Sequence, residues 1–425
     1  MITAKAWKNK KYAVYGLARS GLATVRALLE SGAEVTAWDR SEEARAKAEG
    51  ATLLDLDSAD LGQFDSLVVS PGVPLNTHPI AARAREAGVE IIGDIELFAR
   101  ARAELPPHKV VGITGTNGKS TTTALVHHIL QTAGVPTTMG GNIGLPILSQ
   151  DPLPEGGIYV LELSSYQIDL TRSLDCDVAV LLNITPDHLD RYESFDAYAA
   201  SKLRLFEMKP RGAVIPRPLV RRFHPFSRRE DIPHDILAPD DYSFSDQEKW
   251  PALQGPHNAE NAAAAISASE LLGLDFLQIY GALRTYPGLP HRMERVRERN
   301  GTLFVNDSKA TNAEAAAPAL AAYPRIRWIV GGQAKSEELG DTAKHLDHVV
   351  RAYTIGEAGP IFAALLRALG VDVSEVETLE NAVKCAAEDS QAGEVVLLSP
   401  ACASFDQFRD YEARGEAFRA YVGAL

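Results

Sequence analysis

The stretch that most constrains this chain reads Gly-Ile-Thr-Gly-Thr-Asn-Gly-Lys-Ser-Thr over residues 112–121, directly after Lys109-Val110-Val111. A strand that breaks into glycines and closes on Gly118-Lys119-Ser120 at the mouth of a helix is suited to hold a phosphate chain. Glycines let backbone N–H groups approach phosphate oxygens, and the helix N-terminus adds partial positive charge. Lys119 neutralises bridging oxygens, and Ser120 offers a hydroxyl to Mg2+. The general phosphate-loop pattern would put its first glycine at position 113, where this chain has Ile113; Gly112, Gly115 and Gly118 give a variant spacing. A glycine-rich loop with an incidental lysine is the plain alternative, and the flanking strand and helix speak against it.

At 425 residues the chain is long for one core, which predicts two to three domains. Residues 11–98 alternate short apolar strands (12–16, 35–38, 67–70) with amphipathic helices (20–31, 78–87), the pattern of a parallel, doubly wound sheet. Leu105-Pro106-Pro107 breaks it, and the phosphate loop opens a second unit with strands at 110–114, 158–163 and 178–183. A second breaker cluster at 286–290 precedes a third unit with strands at 303–306, 328–330 and 394–399. The reading is α/β, with an N-terminal Rossmann-like domain (1–100), a central P-loop ATPase-like domain on a mostly parallel sheet (101–289) and a C-terminal Rossmann-like domain (290–425). Residues 209–256, rich in Pro, Arg and Asp, read as a loop-rich insertion around one apolar run, 213–215.

A net charge of −13 argues against a nucleic-acid partner, which needs a basic face. The chain has no apolar run of membrane-spanning length, and its first residues lack a signal-peptide core, so a cytoplasmic protein is expected. Cys176, Cys385 and Cys402 lie far apart and read as buried free thiols.

Other polar groups gather at strand ends. Gly16-Leu17-Ala18-Arg19-Ser20-Gly21 follows a strand and opens a helix, and Asp39 ends the next strand. This is close to a dinucleotide fingerprint, but Ala18 stands where the backbone must nearly touch a pyrophosphate, which favours a nucleotide-sugar diphosphate held by loop amides and Arg19 over NAD. Glu162 sits in an apolar strand, where a carboxylate is costly without a cation or a hydrogen-bond donor; Mg2+ is one partner and a salt bridge the other. His188 follows the next strand and could converge with Glu162 on a metal or phosphate. Asp307 and Lys309 close a later strand, with Thr311 or Asn312 available as a helix cap. Lys202, on an amphipathic helix, reads from its periodicity as a solvated surface lysine.

Taken in order, these segments resemble the Mur ligases, ATP-dependent amide ligases of peptidoglycan precursor synthesis. The resemblance rests on the phosphate loop, Gly141-Asn142-Ile143-Gly144, Leu161-Glu162-Leu163-Ser164-Ser165, Asp187-His188-Leu189-Asp190, Gly255-Pro256-His257-Asn258 with Asn261, His291-Arg292-Met293-Glu294 and Asn306-Asp307-Ser308-Lys309. The run Ser-Pro-Ala-Cys-Ala-Ser-Phe-Asp-Gln-Phe over 399–408 resembles the D-glutamate-adding branch.

The resemblance implies that ATP activates the terminal carboxylate of UDP-N-acetylmuramoyl-L-alanine and that the D-glutamate amine then attacks, in a monomer. It implies catalytic roles for Lys119, Glu162, His188 and Lys202, with two Mg2+ ions held by Ser120, Glu162, His188 and a carbamylated Lys202. ATP would be held by Gly115, Thr116, Asn117, Gly118, Lys119, Ser120, Thr121, Asn142, Asn258, Asn261, Arg292, Asp307 and Lys309. The uridine-diphosphate substrate would meet Arg19, Ser20, Asp39, Ser70, Gly72 and Asn142. D-glutamate would meet Thr311, Lys335, Ser399 and Phe405. The loop Gly-Gly-Gln-Ala-Lys over 331–335 departs from the family's usual Asp-Gly-Lys ending.

Overall fold

The computed structural model describes residues 1–187, 190–223, 235–237, 247–336 and 338–425. The first sheet is built from β1 (Lys11–Tyr15), β2 (Glu34–Trp38), β3 (Thr52–Leu53), β4 (Ser66–Val69) and β5 (Glu90–Ile92). Its helices are α1 (Arg19–Glu30), α2 (Glu42–Ala46), α3 (Pro79–Glu86) and α4 (Asp94–Ala101). All pairings are parallel in the order β3-β2-β1-β4-β5. Residues 12–15 of β1 and all of β4 are buried, as strands covered by helices on both faces must be. The chain leaves β1 toward β2 and β4 toward β5, so the crevice for a ligand opens at the carboxyl ends of β1 and β4.

The second sheet runs β11-β10-β9-β6-β8-β7, again parallel. Its strands are β6 (His108–Thr114), β7 (Thr137–Gly141), β8 (Gly157–Glu162), β9 (Val178–Leu181), β10 (Gly212–Val214) and β11 (Asp235–Leu237). Helices α5 (Lys119–Thr132), α6 (Ser165–Asp169), α7 (Phe195–Glu207), α8 (Arg217–Phe223), α9 (Pro256–Leu271) and α10 (Phe276–Thr285) follow. The direction of winding reverses between β6 and β9, which puts a second crevice at the phosphate loop. The region expected to be an insertion of loops carries β10, α8 and β11: two strands extend the sheet, and 213–215 supplies buried apolar side chains. The rest of that expectation, at 224–234 and 238–246, lies outside the described residues.

The third sheet, β12-β13-β17-β14-β15-β16, comprises β12 (Glu294–Arg299), β13 (Thr302–Asn306), β14 (Ile326–Gly331), β15 (Val349–Ile355), β16 (Val373–Glu377) and β17 (Val395–Leu398). Only β12 is antiparallel. Helices α11 (Ala313–Ala321), α12 (Gly359–Ala368), α13 (Leu379–Asp389) and α14 (Tyr411–Ala424) cover it.

Contacts divide the chain into two compact units, 1–242 with 260–283, and 243–259 with 284–425. Within the first unit one apolar cluster runs through both sheets, from Val14 and Val35 to Tyr159 and Leu181. Glu96 links them by accepting from the backbone N–H groups of Arg172 and Ser173 at 2.7 and 3.0 Å. Cys176 and Cys402 are buried thiols as expected, whereas Cys385, on α13, is only partly covered as it packs against the core beside it.

Candidate active site

The phosphate loop forms where β6 ends. Gly118 takes a left-handed conformation at φ +86°, and a Cβ there would stand 2.1 Å from Asn261 Oδ1, so glycine alone fits. Gly118 is also the N-cap of α5, which begins without a side-chain cap and leaves its first amides available to an anion. Ser120 and Thr121 in that first turn are buried. Asn117 is held by a reciprocal pair with Asn183, its N–H donating to Oδ1 at 2.8 Å and its carbonyl accepting from Nδ2 at 3.1 Å. Thr116 Oγ1 accepts from the N–H of Thr185 at 3.0 Å and lies 3.2 Å from the Tyr198 hydroxyl.

Two lysines meet above this loop. Lys119 Nζ donates to the carbonyls of Gly115 and Thr116 at 2.9 and 2.7 Å. Lys202 Nζ donates to the Gly115 carbonyl at 2.9 Å and stands 4.6 Å from the centre of the Tyr198 ring. The solvated lysine that helix periodicity suggested is in fact 1% exposed. The reason is that α7 is covered on this face by α6: Ser201, beside Lys202, donates to the carbonyl of Ser165 at 3.1 Å. Burial, then the charge of Lys119, pushes the Lys202 amine down to about 7.

Glu162 ends β8, next to β6, and pairs in register with Ile113. It is 2% exposed; Oε1 accepts from Asn142 Nδ2 at 3.0 Å, while Oε2 is buried and takes no hydrogen bond. A buried carboxylate oxygen with no donor fits a divalent cation, which prefers oxygen ligands. Among the described residues no three His, Cys, Asp or Glu side chains cluster to hold a metal, so a metal shell here needs hydroxyl, water or modified-lysine oxygens as well. His188 lies outside the described residues.

At the crevice of the first sheet, α1 also begins without a side-chain cap. Arg19 reaches across to the second sheet, donating to the carbonyl of Gly144 at 2.8 Å in the loop that carries Asn142. Ser70 Oγ donates to the carbonyl of Gly16 at 2.7 Å. Asp39 uses both oxygens on backbone amides, those of Leu17 at 2.7 Å and Ser41 at 2.8 Å, so it shapes the β1–α1 loop. Below the loop Ser20, Gly21, Thr24, Ser70, Pro71 and Asp94 line a narrow crevice. Both oxygens of Asp94 are buried without a hydrogen-bond partner, and burial pushes its carboxyl up to about 6.

In the second unit, Arg292 sits between His291 (φ +60°) and Met293 (φ +48°), two non-glycine residues in the left-handed region. Asp307 holds this turn, accepting from the N–H of Met293 at 3.1 Å and from Ser399 Oγ at 2.8 Å, and burial pushes its carboxyl up to about 7. Arg292 Nε is buried without a partner, and burial together with the Arg292 charge pushes His257 down to about 4. Asn258 donates to the Gln254 carbonyl at 3.0 Å. Lys309 Nζ lies 5.5 Å from the centre of the Tyr411 ring. Asn312, rather than Thr311, caps α11. Lys335 is exposed on the loop after β14, Ser399 is fully buried after β17, and Phe405 is 68% exposed.

Three family models match the chain: "Mur ligase MurD-like, N-terminal domain" over residues 10–93, "Mur ligase middle domain" over 113–220, and "Mur ligase, glutamate ligase domain" over 291–402. A Novosphingobium aromaticivorans protein named UDP-N-acetylmuramoylalanine--D-glutamate ligase is 59% identical, covering 100% of this chain and 97% of that protein. The chain belongs to the Mur ligase family. A second ligase of the same name, from Sphingopyxis alaskensis, is 58% identical to this Mur ligase over 100% of both chains. The crystal structure of UDP-N-acetylmuramate-alanine ligase from Thermotoga maritima shares its fold at a TM-score of 0.58 and 18% identity, covering 98% of this chain and 100% of that one.

The Mur ligase fold also brings in residues that sequence reasoning passed over. Asn183 and Tyr198 fix the phosphate loop, and both lay in segments already marked by polar strand ends or by the Lys202 helix. Arg414, 1% exposed on α14, donates to Ser308 Oγ and to the carbonyls of Ser308, Cys402 and Ala403, tying the loops after β13 and β17 together. Its helical position carried no signal of that role.

Proposed function

We propose that this Mur ligase joins D-glutamate to UDP-N-acetylmuramoyl-L-alanine, converting ATP to ADP and phosphate, in peptidoglycan precursor synthesis. The observation that carries the reading is the end-to-end 59% identity with a named D-glutamate ligase, in a chain whose phosphate loop has the lysine pair and half-satisfied Glu162 that carboxylate activation needs.

The terminal carboxylate of the nucleotide sugar attacks the γ-phosphorus of ATP, forming an acyl phosphate and releasing ADP. The D-glutamate amine adds to the acyl carbon, loses a proton, and the tetrahedral adduct expels phosphate to leave the amide. Such transfer needs positioning and charge neutralisation more than covalent help from the protein. Lys119, the amides of 115–121, Asn142 and Asn261 are assigned to the phosphates, and Asn258, Arg292, Asp307 and Lys309 to ATP. Ser120, Glu162, His188 and Lys202 are assigned to Mg2+, which when bound neutralises charge on the transferring phosphoryl group. A Lys202 amine near 7 supports carbamylation: the neutral nitrogen adds CO2 and loses a proton, leaving a carboxylate-like ligand.

The crevice formed by Arg19, Ser20, Ser70 and Gly72 is assigned to the uridine-diphosphate moiety, with Asp39 shaping its loop. Thr311, Lys335 and Phe405 are assigned to D-glutamate, with Ser399 acting through Asp307. The three sheets support substrate, ATP and amino-acid domains at 1–100, 101–289 and 290–425. The net charge of −13 supports small-molecule rather than nucleic-acid partners, and no described helix is long and apolar enough to cross a membrane. We assign a cytoplasmic monomer, which light scattering of the purified protein tests.

With ATP, Mg2+ and UDP-N-acetylmuramoyl-L-alanine, the protein is expected to release phosphate only when D-glutamate is added. Equal release with L-alanine or diaminopimelate would overturn the assignment.

A further inference from the structure

Arg191 is half-buried just beyond the second sheet's polar strand end, and its guanidinium turns toward the first sheet. It donates to three successive carbonyls of the loop after β4: Pro71 at 3.4 Å, Gly72 at 3.5 Å and Val73 at 3.1 Å. The same guanidinium lies 4.4 Å from the centre of the Tyr166 ring. Tyr166 stacks on Tyr192 at 5.9 Å with planes 9° apart, and the Tyr192 hydroxyl donates to Asp169 at 2.8 Å. The cation is thus fixed from below by an ordered aromatic stack and spans two sheets of one compact unit. A second bond supports the junction, from Asn76 Nδ2 to the carbonyl of Asp190 at 3.2 Å.

A planar trans peptide points its C=O and the following N–H in opposite directions. When Arg191 gathers the Pro71 carbonyl, the Gly72 N–H is turned away from the guanidinium. Gly72 is exposed, and a Cβ added there would meet nothing within 4 Å, so an anion has room to approach this residue. The Val73 N–H stays inside the turn, donating to the Ser70 carbonyl at 3.0 Å. Residue 74 is a proline and offers no N–H, so of the three peptides whose carbonyls Arg191 holds, Pro71–Gly72 is the one that can turn an N–H to the side opposite Arg191.

We propose that Arg191 is a positioning residue for the nucleotide-sugar diphosphate: it orients the backbone of residues 71–73 so that the Gly72 N–H faces the anion. Arg191 does so without touching the ligand. The inference rests on the assignment of the first sheet's crevice to the uridine-diphosphate substrate.

The test uses the full-length enzyme with Arg191→Met, Arg191→Lys and Tyr166→Leu. Arg191→Met is expected to raise KM for UDP-N-acetylmuramoyl-L-alanine about tenfold or more, with KM for ATP within about twofold of the parent. Arg191→Lys should recover only part of the loss, because a point charge cannot serve three carbonyls as a planar fork does. Tyr166→Leu should raise the same constant by loosening Arg191. An unchanged KM for the nucleotide sugar in Arg191→Met overturns the proposal, as does an equal rise in both KM values. Calorimetric titration of UDP into parent and Arg191→Lys proteins reads the loop without turnover. A parent that binds UDP but releases no phosphate with D-glutamate refutes the ligase assignment, whereas equal UDP affinity in the two proteins refutes the role of Arg191.

Discussion

Lys119 and Lys202 donate to one and the same atom, the carbonyl oxygen of Gly115, each at 2.9 Å. Lys119 comes from the first turn of α5 and Lys202 from α7, so the shared acceptor pins two helices to the phosphate loop. Burial and, after it, repulsion from the neighbouring ammonium of Lys119 lower the Lys202 amine to about 7. A half-neutral amine at physiological pH is a nucleophile in wait for CO2.

Lys202→Ala is accordingly expected to abolish D-glutamate-dependent phosphate release, and millimolar formate or acetate to restore part of it. A carboxylate added from solution would stand in for the oxygens of the proposed carbamate. Full activity in the alanine variant without added acid would remove Lys202 from the metal shell.

Glu162→Gln keeps the shape of the side chain and its link to Asn142 but removes the charge beside the buried Oε2. The Mg2+ concentration needed for half-maximal phosphate release should rise about tenfold or more, since a neutral amide oxygen is the poorer ligand for a hard dication. A Mg2+ titration at saturating ATP reads this directly, and an unshifted midpoint would assign Glu162 to structure alone.

Gly118→Ala forces a left-handed alanine, costing about 1–2 kcal/mol, before any displacement of Asn261. The clash at 2.1 Å falls on the end of a short, buried side chain with little room to move. Loss of the ATP-induced rise in melting temperature is the expected result, and retention of that rise would show that the loop relaxes around the methyl group.

Asp94 makes stability depend on pH. Its carboxyl is raised from 3.8 to about 6, so between those values the folded chain holds a proton that the unfolded chain has released. Stability from this group is therefore greatest below about pH 4 and is lost as pH rises through 6, with a ceiling of roughly 3 kcal/mol. Asp94→Asn should fall less in melting temperature than the parent, relative to other acid-dependent changes, as pH is raised from 4.5 to 7. Parallel melting curves in the two proteins across that range would mean that Asp94 is solvated after all.

The doubly wound pattern was legible because buried parallel strands are uninterrupted apolar runs: Ser66–Val69, Gly157–Glu162 and Val178–Leu181 stand out against their alanine-rich helices. β7, Thr-Thr-Met-Gly-Gly, and β12, Glu-Arg-Val-Arg-Glu-Arg, escaped because both are edge strands whose side chains are partly solvated. The phosphate loop could be read because its chemistry is local, carried by glycines and a lysine within ten residues. Lys202, Arg191 and Arg414 could not, since what makes each of them matter is an acceptor brought from 87, more than 100 or 106 positions away. A polar side chain on a helix looks the same in sequence whether it faces water or a distant carbonyl.

The outermost strand of the third sheet has one further consequence. β12 alternates charges of both signs along five of its six positions and runs against the direction of its neighbours. A foreign strand seeking to add to this border would have to lay its backbone along a fence of solvated arginines and glutamates. The sheet that collects the loops after β13, β14 and β17 is thereby protected at that edge from templating fibrous growth.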